Sequence, residues 1–118
     1  MKKVLIVEGQ ELLIRQWKGK LNGMVEVVFA RSIEDARAKL LDANLGFDAI
    51  VINAHVHGNT EEDIFDFVKE FTMQFCGSII ATSTSSSSRI KLVGVGCDQD
   101  CDESFVPGMI CQVLGSSA

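Results

Sequence analysis

A chain of 118 residues with a net charge of −5 and 47% apolar side chains is long enough to bury a core as a single domain over residues 1–118. Its mean hydropathy of +0.21 indicates a globular rather than a disordered chain, and a pI near 4.9 argues against a general nucleic-acid surface. The apolar run after "MKK" is only Val4–Val7, too short for a signal peptide, and no stretch approaches the ~20 apolar residues of a membrane span.

Val4-Leu5-Ile6-Val7 reads as a first buried strand. Leu12, Leu13, Trp17 and Leu21 then recur at helical spacing, and Gly23 ends that helix. "VEVVFA" (25–30) is a second strand. Ser32 is an N-cap before a stripe of Ile33, Ala36, Leu40 and Leu41, closed by Gly46. "DAIVI" (48–52) is apolar on consecutive residues, so both faces of this third strand are buried, as in a parallel sheet covered by helices on both sides. Asn59 or Thr60 caps the next helix, whose buried stripe is Ile64, Phe67, Val68 and Phe71.

"GSIIAT" (77–82) is a fourth strand. "STSSSSR" (83–89) is a hydroxyl-rich loop or helix start with one Ser as N-cap, followed by a short helix over 89–95. A fifth strand is due within "CDQDCDES" (97–104), short, at the sheet edge, with its acids in solvent. A last helix covers 105–114 with Pro107 near its first turn, and "LGSSA" is either a terminus or a cut before a linker. The alternation predicts a doubly wound α/β fold: a five-stranded parallel sheet in a flavodoxin-like three-layer sandwich. Ligands of such folds bind at the carboxyl ends of the strands. Here those ends carry Glu8-Gly9, Asn53 with His55 and His57, Thr82-Ser83, and the acids near 102–104.

"KKVLIVEGQELL", "FDAIVINAHVHG" and "SIIATS" together resemble the receiver domain of two-component response regulators, the domain shared with the chemotaxis regulator. The resemblance covers nearly the whole chain. It implies an acidic pair that holds Mg²⁺ at Glu8 and Gly9, a phosphoacceptor at Asn53, a switch hydroxyl at Ser83, and the family's lysine at Glu103 with its proline at Ser104. Four of these positions depart from the pattern, Ser104 among them, and three bear on the phosphoryl chemistry. Asn53 is an amide, neutral and a poor nucleophile toward phosphorus. Gly9 supplies no oxygen for Mg²⁺, leaving Glu8 alone of the pair. Glu103 puts a negative charge where an ammonium would meet a phosphoryl group. The implication is a degenerate pseudo-receiver with no catalytic residue and no cofactor, Mg²⁺ included.

Local readings of the pocket stay bland. Asn53 is expected to satisfy nearby polar groups, and one or both of Glu8 and Glu103 to point into solvent. Glu8, His55 and His57, with Cys97 as a further donor, form a weak candidate site for a metal or small molecule. Cys97 and Cys101 lack redox spacing and are expected to be ordinary thiols, with Cys76 and Cys111, in a cytoplasmic protein. The resulting expectation is a non-enzymatic, cytoplasmic signalling module. Its partner is a protein such as a histidine kinase, an output domain or a second copy of itself, with neither nucleic acid nor membrane. The alternative is a binding module built on the crevice near Glu8, His55 and His57.

Overall fold

In the computed structural model, which describes residues 1–42 and 44–115, five parallel strands form one sheet in the order β2-β1-β3-β4-β5. The strands are β1 (Lys3–Val7), β2 (Glu26–Ala30), β3 (Ala49–Asn53), β4 (Ser78–Thr82) and β5 (Gln99–Cys101). The helices between and after them are α1 (Glu11–Leu21), α2 (Ile33–Leu41), α3 (Glu61–Thr72), α4 (Ser86–Val95) and α5 (Val106–Leu114). A single 3-10 turn, Glu103–Phe105, joins β5 to α5. The predicted doubly wound architecture is therefore present, and the last three residues of the "LGSSA" tail lie outside the described residues.

Each strand distributes alternate side chains to the two faces of the sheet. Leu5, Val7, Ile50, Ile52, Ile79 and Ala81 pack on one side under α2, α3 and α4, with Phe67 and Leu92. Val4, Ile6, Ala49, Val51 and Ile80 pack on the other with Trp17, Leu21 and Ile110 of α1 and α5. All five residues of β3 are buried, as the unbroken apolar run predicts for a central strand covered on both faces.

The helix signals hold in their essentials. The Ser32 hydroxyl accepts from Asp35 N at the start of α2. Thr60, rather than Asn59, caps α3 in a reciprocal box with Asp63. Asn59 instead accepts from Ile33 N and so ties the α3 entrance to α2.

Several expectations need correction. Ile14, not Leu12, completes the buried stripe of α1 with Trp17 and Leu21, and Leu12 is 67% exposed. Leu12 is five residues before Trp17, on a different side of the helix, whereas Ile14 is three before it. Leu41 is exposed likewise, because α2 stops there and Gly46 bends the connection further on with φ +60°. α4 begins at Ser86, three residues earlier than the apolar pattern suggests, because the Ser85 hydroxyl accepts from Ser88 N. The acidic stretch is no idle solvated edge. Asp98 accepts from Ile79 N at 2.8 Å while its own N–H donates to Ile79 O, and Asp102 caps the 3-10 turn.

Candidate functional site

At the carboxyl end of the sheet the chain leaves β1, β3 and β4 side by side. Val7 pairs with Ile52, which sets Glu8 beside Asn53, and Asn53 pairs directly with Thr82. Glu8 is fully buried and Asn53 nearly so. Asn53 Nδ2 donates one hydrogen to Glu8 Oε2 at 2.6 Å and the other to Glu103 Oε2 at 2.8 Å. Its carbonyl oxygen accepts from His55 N at 2.9 Å. Glu8 Oε1 accepts from Gly9 N and Gln10 N, so every polar atom of Glu8 and Asn53 is engaged.

The expectation that one or both of Glu8 and Glu103 face solvent fails for Glu8, which is fully buried, while Glu103 is half-buried and turns one carboxylate oxygen to Asn53. A buried carboxylate needs donors, and the one amide between them supplies a hydrogen to each. Asn53 meets the expectation of satisfying nearby polar groups, but its partners are these two carboxylates and a backbone N–H. Among the described residues neither carboxylate has an ion-pair partner within 4.0 Å. Burial raises the Glu8 pKa above its usual range, its hydrogen bonds oppose that rise, and the nearby Glu103 charge adds to it. Glu103 is also held from behind, where Trp17 Nε1 donates to its carbonyl oxygen at 3.1 Å.

Ser83 is not at the end of β4. That position is Thr82, in register with Asn53 and on the same face of the sheet. Ser83 is one residue further, and its hydroxyl accepts from Ser85 N. The hydroxyl beside Asn53 in the ladder is therefore that of Thr82, whose Oγ1 is buried without a partner of hydrogen-bonding geometry. The signal was present: "GSIIAT" ends on Thr82, and a rule that places the hydroxyl at the strand's last residue selects it.

Beside the carboxylates lies an open crevice of about 540 Å³, lined by Glu8, Gly9, His55, His57 and Glu61 among others. Both histidines are exposed on the loop after β3, and the His55 ring makes a long polar approach of 3.5 Å to Ser88 Oγ. Among the described residues no three His, Cys, Asp or Glu side chains gather at metal-binding distance, so Glu8, His55, His57 and Cys97 do not form the ligand set suggested by their spacing. The fit to Mg²⁺ is poor for a second reason. That ion needs oxygen ligands, and the group aimed between the two carboxylates is an NH₂, while Gly9 offers no side chain.

Cys97 and Cys101 point to opposite faces of the sheet, one in each half of the core. Burial pushes the Cys97 thiol up to about 12 and the Cys101 thiol up to about 11. The neighbouring aspartates add to both shifts as expected, but desolvation is the larger cause.

A five-stranded parallel sheet in this order defines the flavodoxin-like class of doubly wound α/β folds, with ligand sites at the carboxyl edge where Glu8, Asn53 and Thr82 converge. Comparison with solved structures agrees. The chain is similar to a two-component response regulator from Clostridium difficile, with a TM-score of 0.80 at 16% identity over 98% of this chain and 97% of that one. It is similar to the phosphorylated cyanobacterial phytochrome response regulator RcpA, with a TM-score of 0.79 at 19% identity over 99% and 96%. It is also similar to the Vibrio cholerae chemotaxis protein CheY4, with a TM-score of 0.76 at 25% identity over 100% and 99%. No protein-family model and no curated protein matches the sequence. The fold is that of response-regulator receiver domains, and no helix among the described residues is long and apolar enough to cross a membrane.

Proposed function

We propose that this chain is an atypical receiver-like signal-transduction domain that takes up no phosphoryl group and acts, without enzymatic activity of its own, by contact with another protein. The observation that carries this reading is the Asn53 amide shared between Glu8 and Glu103. The position for a nucleophilic carboxylate holds a neutral donor, and the position for an ammonium holds an acceptor. Loss of a nucleophile costs orders of magnitude in rate, not a modest factor. The whole-length likeness to response regulators supports a protein partner such as a histidine kinase, an output domain or a second copy of the chain, in the cytoplasm. The reading as a metal-binding module finds no three-ligand cluster among the described residues to support it.

The test is to incubate the chain with a small acyl phosphate and Mg²⁺ and to weigh it intact. An unchanged mass is expected. A stable gain of one phosphoryl group overturns the reading.

A further inference from the structure

β5 is an unusual strand to close a sheet. It has three residues, it pairs on one side only, and it places Gln99 and Asp100 in solvent. Cys101 alone enters the core from it. By contrast β3 buries all five residues between two partners. Apolar burial therefore does little to fix the segment from Gln99 to Phe105. Two side-chain arms grip it instead.

The first arm is Arg89 of α4. Its Nε donates to Asp100 Oδ2 at 3.1 Å, its Nη1 donates to Ser83 O at 2.6 Å, and the same nitrogen lies 3.8 Å from Asp102 Oδ1. With a side chain only 17% exposed, this guanidinium loses less to solvent screening than a typical surface pair. The second arm is on the other side of the segment, where Asn53 Nδ2 holds the Glu103 carboxylate and Trp17 Nε1 holds the Glu103 carbonyl. Three acids within four residues thus face two different elements, and each is engaged.

We infer that residues 99–105 are a latched edge: a segment that opens as a unit, separately from the rest of the sheet, and whose closed position is set by Arg89 on one side and by Asn53 with Trp17 on the other. Opening breaks in one step the contacts that this segment makes with Arg89 of α4 and with the pocket at the end of β3, because the same short segment touches both. Low-stability units of this kind are sparse in buried apolar contacts, as here, where Cys101 is the one buried residue from 99 to 105. The device is independent of whether the pocket accepts a phosphoryl group, and its test uses no phosphodonor.

The experiment is residue-resolved amide hydrogen exchange on the full chain, comparing wild type, Arg89→Gln and Asn53→Ala at low and high salt. Arg89→Gln is expected to speed exchange of residues 99–105 by about ten-fold or more while β1 and β3 keep their wild-type protection. High salt is expected to reproduce part of that change in wild type and to add little in Arg89→Gln. Should Asn53→Ala fail to fold, Arg89→Gln still decides, since its side chain lies outside the core. Unchanged exchange of 99–105 in Arg89→Gln, or equal acceleration across the whole sheet, overturns the inference.

Discussion

Asn53 donates to Glu103 across the end of the sheet, 50 residues away in sequence and 2.8 Å away in space. In the receiver pattern the same two positions carry a carboxylate and an ammonium. Here the donor has moved to the third strand and the acceptor to the segment after the fifth. The contact survives with its polarity reversed, and with it the link between β3 and the β5–α5 connection.

This reversal makes the apparently restorative change Asn53→Asp unfavourable. It places a third carboxylate against Glu8 and Glu103 and removes the only NH₂ between them. An uncompensated charge in such a place costs roughly 3 kcal/mol. Asn53→Asp is therefore expected to lower stability at neutral pH and to recover part of it in acid, as urea unfolding at several pH values would reveal.

Restoration needs the positions changed together. A Cβ at Gly9 would meet nothing closer than Arg31 O at 3.5 Å, so an aspartate has room there. The triple variant Gly9→Asp, Asn53→Asp, Glu103→Lys is expected to gain one phosphoryl group from acyl phosphate with Mg²⁺, while Asn53→Asp alone gains none. Intact mass spectrometry distinguishes the two.

Glu8 sets the sign of the pH dependence just above the ordinary glutamate range. Its folded pKa is raised, so the stability linked to its protonation is fully present below the unfolded value and is lost as pH rises through the folded one. Asp63 and Asp102 have lowered folded values, and their contributions disappear only below the ordinary carboxylate range. Wild type is expected to grow more stable as pH falls from above through the raised Glu8 value toward the ordinary glutamate range, and Glu8→Gln to lose that slope. Thermal melts across this range check both.

The thiols should sort by burial. Cys76 is exposed, whereas Cys97 and Cys101 are buried with pKa values pushed to about 12 and about 11. A thiol reagent at mildly alkaline pH is expected to label Cys76 first and to reach Cys97 and Cys101 only after denaturant is added, as peptide mapping would show. Oxidation is not expected to join Cys97 to Cys101, since the sheet lies between them.

Thr82→Val tests the unpartnered hydroxyl. Removing a buried polar atom that has no hydrogen bond, while keeping the side chain's shape, is expected to stabilise by about 1 kcal/mol. Cys101 pairs in register with Thr82 on β5, and a loss of stability in denaturant titration would instead credit its thiol as a real partner of that hydroxyl.

Much of this architecture was legible in the residues. The unbroken "AIVI" run announces a two-sided strand, and Ser32 and Thr60 announce helix starts, because caps and periodicity are local signals. Position is harder than type. Leu12 resembles a core residue until the helix phase is fixed by Trp17, and Ser83 resembles the strand end until the ladder is fixed by Asn53 against Thr82. Least legible was the direction of Glu8 and Glu103. Exposure statistics send glutamates outward, and only the three-dimensional meeting with Asn53 turns them inward.

The Trp17 indole has one more use. It is the only tryptophan in a chain without tyrosine, and its N–H rests on the backbone of Glu103. Its emission colour and its quenching therefore gauge one joint of the molecule with no background from elsewhere. Whatever partner this domain meets, a cuvette and ultraviolet light can register whether that joint moves, with no label attached.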